Sequence, residues 1–384
     1  MACEHSRKTT SRIGSSNLAT GCGPVVAAAG DSDMPRRLEA WLAAQFPQRK
    51  SLVVSAFTAP DAGASNETLL FDIGWEQHGG RCHQGLVIRL EQQGQGIFPE
   101  YDLESQFRAL SRLQHAGIKV PVALGLEPDP AVLGRRFYVM ERLEGRYLAD
   151  NPPYQAQGWL TSASPQVRAD IWRNAITEMA AVHRVDWSAL GFSDLWNRDR
   201  FGTPLAQLLE YYEYFLGWAE AVGRPFAKLH PVLRYLKEHQ PAHDPVALCW
   251  GDAKPANLMI ERGGSGIVGL LDWEMVHLGN PVHDLAWWMV LDDCLSTGLG
   301  IAKLDGLPGR EELVALWEKQ SGYSAAALDY YELLSIFQFA IIMHRVGTRL
   351  TAQGFFPPEA EFDIRNTSTL LLDQQMARFG LNPI

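Results

Sequence analysis

The sequence predicts an α+β chain: a small lobe built on antiparallel strands, followed by a larger, mainly helical lobe. Three observations predict it. Strand-like apolar runs cluster between residues 51 and 90 and return between 120 and 140. Helical periodicity dominates from residue 165 onward. One further strand-like stretch, at 250–274, interrupts the helices and carries a dense set of polar groups. With 46% apolar residues, the 384-residue chain can fill one large core or two smaller ones.

Composition narrows the function. The formal net charge is −10 and only 20% of residues are charged, so no basic face is available to nucleic acid. The five cysteines, Cys3, Cys22, Cys82, Cys249 and Cys294, are odd in number, widely spaced and free of CxxC pairs. They read as scattered thiols in a reducing, cytoplasmic setting rather than as a disulfide framework or zinc site. The most apolar segment, Leu333–Met343, contains Ser335 and Gln338 and is too short to span a bilayer, so no membrane partner is expected. No obligate protein partner is evident either. Residues 1–33 are small, polar and unpatterned, and read as a disordered tail.

The folded part opens with Leu38, Trp41, Leu42 and Phe46 at helical spacing. Strands follow at 51–58, Thr68–Ile73 and 85–90, the first two joined by the small-residue turn Ala62–Asn66. A tip with so little side-chain bulk can lay backbone amides over phosphates, although most such turns are only turns. A helix is expected from Tyr101 to Ala116, with Leu103, Phe107, Leu110 and Leu113 on one face. Val120–Leu126 and Arg136–Met140 read as strands, and Met140–Gly145 as the crossover between lobes. The predicted division is thus a tail at 1–33, a first lobe at 34–145 and a second at 146–384. In the second lobe, Ser164-Pro165 is an N-cap and first-turn pair for a helix reaching His183. Further helices are expected at Pro204–Val222, from Asp284, and at 309–320, 325–350 and 359–378.

The chemistry concentrates at 250–274. Asp252, Lys254, Asn257 and Asp272 fall on or beside two short strands joined by a glycine-rich turn. One carboxylate can take a proton from a hydroxyl, an amide and a second carboxylate can hold magnesium, and the lysine can reach a phosphate. That set suits phosphoryl transfer from ATP, which asks a protein for positioning and charge neutralisation rather than covalent chemistry. Asp252 precedes Asn257 by five residues, the spacing of a kinase catalytic loop. Asp272 ends the apolar run Ile267–Leu271, which would deliver it rigidly. Asp and Asn in a loop are turn formers by default, and only the whole constellation lifts them above that reading.

Gly-Asp-x-x-x-x-Asn, then Leu-Leu-Asp-Trp-Glu and Gly-Asn-Pro-Val-His-Asp-Leu-Ala, resemble the aminoglycoside phosphotransferase superfamily. The nearest likeness is its broad phosphotransferase branch, which includes the kinase-like domain of some acyl-CoA dehydrogenase fusions. Val120-Pro121-Val122 and Gly134-Arg-Arg-Phe-Tyr-Val-Met-Glu-Arg-Leu-Glu-Gly145 extend the resemblance, which covers Leu38 to Ala377. It implies a protein-kinase-like bilobal fold and phosphorylation of a small hydroxylated molecule with ATP and Mg2+. By this resemblance Asp252 is the catalytic base or the carboxylate that orients the acceptor, Lys254 neutralises the transferring phosphate, and Asn257 and Asp272 bind magnesium. Arg89 stands where a strand lysine clamps the α- and β-phosphates, and Gln106 where a helix residue pairs with it. Glu141–Leu143 offers backbone groups to adenine, so Glu141 and Leu143 are nucleotide-binding candidates. Asp284 braces the catalytic loop.

Three departures from the family pattern matter. Trp250 replaces a structural histidine and can donate only from its indole nitrogen. Arg89 replaces the lysine, with a fixed charge and forked donors; its plain reading is a surface arginine on an edge strand. Gln106 borders the apolar face of its helix and is a neutral partner, with Glu104 in a shifted register as the alternative. These departures motivate the rival reading, a catalytically weak or inactive nucleotide-binding module that acts through partner binding.

Other candidates read more plainly. Tyr211, Tyr212, Tyr214, Phe215 and Trp218 line either a core, the default at this density, or an apolar or sugar-binding pocket. Glu274 supports the magnesium site from a distance or is solvated. His183, His243, His277 and His283 lack metal-site spacing. Arg345 and Arg349 lie four apart, on a solvated helix face or facing an anionic substrate. The aromatic helix and these arginines tilt the expected acceptor toward an apolar or anionic alcohol, such as a hydroxyacyl thioester, rather than an antibiotic.

Overall fold

The computed structural model describes residues 33–59 and 67–381. Residues 1–32 of the predicted tail and the Ala62–Asn66 turn lie outside them.

Helix α1 (Met34–Gln45) buries Leu38, Trp41 and Leu42, three residues at helical spacing, against a five-stranded antiparallel sheet. The strands are β1 (Lys50–Val54), β2 (Glu67–Gln77), β3 (Gly80–Leu90), β4 (Ala123–Glu127) and β5 (Phe137–Glu141), in the order β1-β2-β3-β5-β4. Strands β2 and β3 are longer than the sequence predicts. They pair residue for residue up to Gln77 opposite Gly80 and close through His78 and Gly79, whose φ values are 51° and 77°. Positive φ at both central residues matches the twist of a two-residue hairpin, and glycine adopts it without strain. Strand β1, by contrast, stops at Val54, with only an isolated bridge at Thr58.

Alternation along β3 sorts its side chains. Leu86, Ile88 and Leu90 face a small core shared with α1, Phe137 and Val139. Arg89 points to the opposite face, in register with Tyr138. That face is covered by α2 (Leu103–His115), whose Asp102 caps the first turn by accepting from the Ser105 amide at 2.9 Å. Leu103, Ala109, Leu110 and Leu113 on α2 belong, with Tyr138, to the large core of the helical part. Packing therefore joins α2 to the residues that follow it rather than to the small core alone.

The helical part comprises α3 (Trp159–Ser162), α4 (Pro165–His183), α5 (Arg198–Phe201), α6 (Pro204–Val222) and α7 (Leu229–Glu238), then α8 (Val282–Cys294), α9 (Arg310–Ser321), α10 (Leu328–Ala352) and α11 (Thr367–Arg378). Helices α4 and α6 take their expected bounds because Ser164 and Thr203 cap them, accepting from the Val167 and Ala206 amides, and a proline opens each. Helix α7 was not predicted. Helix α11 starts later than predicted, at an Asn366–Thr369 capping box after the Pro357-Pro358 pair. Every residue of α8 except Asp293 is buried, and α10 lies along it. An all-round apolar helix of this kind belongs at the centre of a core.

Between α7 and α8 lie four short strands. β6 (Ala247–Cys249) pairs with β9 (His277–Gly279), and β7 (Leu258–Ile260) pairs with β8 (Ile267–Leu270). Arg146 and Ile260 exchange backbone bonds at 2.7 and 2.8 Å, and the Leu270 amide donates to Lys119 O at 2.8 Å. These bonds stitch the segments before β4 and after β5 to the β7–β8 pair. No helix among the described residues is long and apolar enough to cross a membrane.

Candidate active site

The β6–β7 connection, residues 250–257, carries three of the predicted groups, and its shape comes from one carboxylate. Asp284, in the first turn of α8, accepts from the Trp250 amide at 2.6 Å and the Gly251 amide at 2.8 Å. His183 donates to the same carboxylate at 2.9 Å. Burial works against ionisation of Asp284, but these donors outweigh it and hold its pKa below the ordinary carboxylate value. The predicted brace is therefore a buried anion solvated by backbone N–H groups. Gly251, at φ 90°, is required here, because a Cβ would stand 2.1 Å from Met275 O.

Trp250 fills the place of the expected histidine. Its indole donates to Leu271 O at 2.8 Å, tying the loop to the residue before Asp272, and its ring packs on Trp273 with centroids 5.9 Å apart.

Asp252 is buried with both oxygens engaged. Oδ1 accepts from the Trp287 indole at 2.9 Å, and Oδ2 from the Asn257 amide nitrogen at 2.7 Å. Lys254 Nζ stands 3.3 Å from Asp252 Oδ2 and 3.2 Å from Asp150 Oδ2. Burial raises the Asp252 pKa, and the Lys254 charge restrains that rise. Lys254 itself stays firmly protonated, because Asp150 and Asp252 outweigh its own burial. Asp252 on the loop and Asp284 on α8 thus have pKa values pushed apart, one toward a proton acceptor and the other toward a permanent anion.

Asn257 donates its amide nitrogen to Asp252 O and Oδ2, which leaves its oxygen as the end for a cation. Asp272 adopts φ 58°, a left-handed conformation tolerated by aspartate. Arg89 engages Asp272 through Oδ1, at 3.2 Å, and not Oδ2. An amide oxygen and a carboxylate oxygen are hard donors that fit Mg2+. Among the described residues no group of three His, Cys, Asp or Glu side chains forms a metal site.

The surroundings of Arg89 correct the predicted pairing. Gln106 faces inward as its helix position requires, but its side-chain oxygen accepts from the Tyr138 hydroxyl at 3.4 Å. The acids that meet Arg89 are Asp272 and Glu274, the latter at 3.5 Å. A buried guanidinium needs counter-charge, which a neutral amide cannot supply. Glu104 is exposed, which removes the shifted register. Glu274, with its side chain 8% exposed, is an ion-pair partner of Arg89 and not a solvated group. Arg89 is itself buried, so it is no surface arginine.

At the crossover, the Glu141 amide donates to Val122 O and the Arg142 amide to Gly85 O, while Leu143 presses on Gly269 of β8, where a Cβ would meet Leu143 Cδ1 at 2.2 Å.

Beside this centre lies a cavity of about 500 Å3, with Glu274, Tyr101 and Tyr211 among its walls. Tyr212, also in its lining, is close enough to feel the Asp252 charge. The aromatic helix therefore divides its labour. Tyr212 and Phe215 are buried in the core, Tyr211 lines the cavity, and Tyr214 is exposed. Arg345 does not lie on a solvated face. It is buried, its guanidinium stacks over Trp218 at 4.5 Å, and it donates to Gly96 O at 3.0 Å.

Sequence reasoning missed Asp150 and Trp287. Trp287 follows Asp284 by three residues, which places both on one helix face toward the same loop, and that spacing could have found it. Asp150 carries no local signal.

A five-stranded antiparallel lobe, a buried loop with a braced Asp252, and a second carboxylate delivered by β8 define a kinase-like architecture. The chain belongs to the phosphotransferase enzyme family, whose model matches residues 58–316. It is 27% identical over 305 residues to the probable acyl-CoA dehydrogenase IBR3 of Arabidopsis thaliana, covering 75% of this chain and 35% of that protein. It is 25% identical over 329 residues to acyl-CoA dehydrogenase family member 11 of Rattus norvegicus, covering 82% of this chain and 39% of that protein. The chain thus matches well under half the length of these relatives. Among solved structures, a putative aminoglycoside phosphotransferase from Ralstonia eutropha JMP134 superposes with a TM-score of 0.63 at 23% identity, covering 88% of this chain and 95% of that one. Choline kinase LicA of Streptococcus pneumoniae gives a TM-score of 0.52 at 12% identity, covering 90% of this chain and all of that one. At these identities the two structures establish the shared kinase-like fold.

Proposed function

We propose that the chain transfers the γ-phosphoryl group of ATP to a hydroxyl of a small molecule held beside Asp252. The observation that carries this is the buried Asp252 carboxylate, oriented by Trp287 and Asn257, with Lys254 at 3.3 Å and an open cavity alongside. Asp252 takes the acceptor proton as the acceptor oxygen bonds to the γ-phosphorus and the bond to the β-phosphate oxygen breaks. Its raised pKa suits a proton acceptor. Lys254 lies near enough to leave Asp150 and neutralise the transferring group. Magnesium on Asn257 and Asp272 would offset the negative charge of the phosphate oxygens. Arg89 completes the phosphate side, and the backbone at Glu141 and Leu143 faces the base.

The acceptor is an apolar-bodied alcohol. Two of the four carboxylates lining the cavity are already paired with a cation: Glu274 with Arg89 and Glu210 with Arg200. A polyamine antibiotic would need such groups free. A hydroxyacyl thioester is the first candidate, because the relatives carry acyl-CoA dehydrogenase names.

The test is ADP release with Mg-ATP across aminoglycosides, macrolides, hydroxyacyl-CoAs, sugars and choline-like alcohols, with Asp252→Asn alongside. The expected result is acceptor-dependent release that the variant lowers by about 10²–10⁴-fold. Tight ATP binding with no release by any acceptor would overturn it in favour of a non-catalytic module.

A further inference from the structure

One hydroxyl in the cavity wall stands without a partner. Tyr212 lines the cavity with only 3% of its surface exposed. Its ring is fixed from two sides, edge-on against Tyr211 with centroids 5.2 Å apart and stacked on the buried Phe215 at 5.9 Å. Among the described residues nothing hydrogen-bonds to its oxygen. That oxygen is also not one of the enclosed polar atoms left without a partner, so it keeps accessible surface. The little surface that a buried cavity-lining side chain keeps opens on the cavity.

Neighbouring polar groups of the same wall are engaged within the protein. His277 Nε2 stands 3.2 Å from His283 Nδ1, His283 Nε2 stands 2.9 Å from the Gln338 side-chain amide, and Gln106 accepts from Tyr138. Glu274 pairs with Arg89. Tyr212 thus brings an unengaged O–H to the part of the wall that the Asp252 charge reaches. Burial raises the Tyr212 pKa well above the ordinary tyrosine value, so the phenol keeps its proton and acts as a neutral donor. A desolvated hydroxyl with no partner is unfavourable, and a ligand that accepts from it removes that penalty.

An alcohol carries the matching groups: one O–H to give to a carboxylate and two lone pairs on its oxygen. Resting on the cavity as the acceptor pocket, we propose that Tyr212 binds and orients the acceptor, its O–H donating to the oxygen whose own proton goes to Asp252. One lone pair is then held by Tyr212 and the other is left for the γ-phosphorus. Tyr212 keeps its proton throughout, so Asp252 is the only proton acceptor in the transfer. A hydrogen bond of this neutral kind corresponds to about tenfold in affinity.

The experiment measures calorimetric binding of 1-hexanol and 1-hexanethiol to the full chain, in the wild type and in Tyr212→Phe. The two probes share one apolar body, but sulfur is a weak acceptor. The alcohol-to-thiol affinity ratio is expected to fall about tenfold in Tyr212→Phe. Thiol affinity is expected to stay unchanged, which also reports that the variant is folded and its pocket intact. An unchanged ratio, a parallel loss of both probes, or no binding of either by the wild type overturns the proposal. ADP release is read on the same samples across the acceptor panel above. A ratio that falls as expected, with no release by the wild type on any acceptor, removes the phosphotransfer reading while leaving the Tyr212 alcohol site intact.

Discussion

Asp284 Oδ2 lies 2.6 Å from the Trp250 amide, so one carboxylate on α8 holds the backbone that presents Asp252. The support runs two residues deeper. His183 donates to Asp284 from Nε2, and its Nδ1 accepts from the Trp317 indole at 3.0 Å, which fixes the imidazole tautomer. Trp317, His183 and Asp284 thus form a buried relay of orientation that ends at the loop carrying Asp252.

Asp284→Ala strands the Trp250 and Gly251 amides and the His183 N–H without an acceptor. The expected loss of stability is at least about 3 kcal/mol, about 1 kcal/mol or more for each of the three stranded donors. Urea denaturation checks the magnitude. Asp284→Asn should recover part of it, because one oxygen remains for an amide.

Trp250→Phe keeps the ring but removes the donor to Leu271 O. The stranded carbonyl costs about 1–3 kcal/mol, and the smaller ring adds a cavity penalty. Leu271 precedes Asp272, so the half-saturating concentration of magnesium in ADP release should rise. A variant as stable as the wild type with unaltered magnesium dependence would show that the indole bond does nothing for the metal side.

Much of this was legible in the sequence because local signals carried it. Helix α4 begins at Ser164-Pro165 and ends at His183 as its cap and periodicity require. Asp252, Lys254, Asn257 and Asp272 converge because a tight loop and one short strand deliver them. The His78-Gly79 hairpin was illegible for a physical reason: β2 and β3 continue past Ile73, where Trp75 still packs into the small core but Gly74, His83 and Gln84 interrupt the apolar pattern. Long-range partners were hidden altogether. Arg89 meets Asp272 across 183 positions, and Lys254 meets Asp150 across a chain reversal that no motif encodes.

Arg89 bridges Asp272 and Glu274 with a single guanidinium nitrogen, Nη2, while its burial would otherwise oppose the charge. Arg89→Lys keeps the charge but replaces the rigid fork with a more strongly hydrated ammonium. The expected result is a roughly tenfold higher KM for ATP, with a smaller change in kcat. Restoration of wild-type KM in Arg89→Lys would show that charge alone suffices. Gln106→Leu, which removes only the Tyr138 contact, should leave the KM for ATP within about twofold, since a single neutral hydrogen bond away from the phosphates is at stake.

The His277–His283 pair also makes stability depend on pH, and the sign follows from burial. Burial lowers both imidazoles, His283 to about 3, although Asp284 pulls the other way. Between that value and the ordinary 6.5, the unfolded chain binds a proton at His283 that the folded chain refuses. Unfolding therefore becomes easier as pH falls: the stability is fully present above about 6.5 and is lost progressively toward 3. One unit below the unfolded value, near pH 5.5, the cost at His283 is about 1.4 kcal/mol. His283→Gln cannot titrate, so its loss of stability between about pH 7.5 and 5.5 should be smaller than the wild type's by about that amount. Urea midpoints at the two pH values decide it. Equal acid sensitivity in both proteins would mean that His283 charges inside the fold.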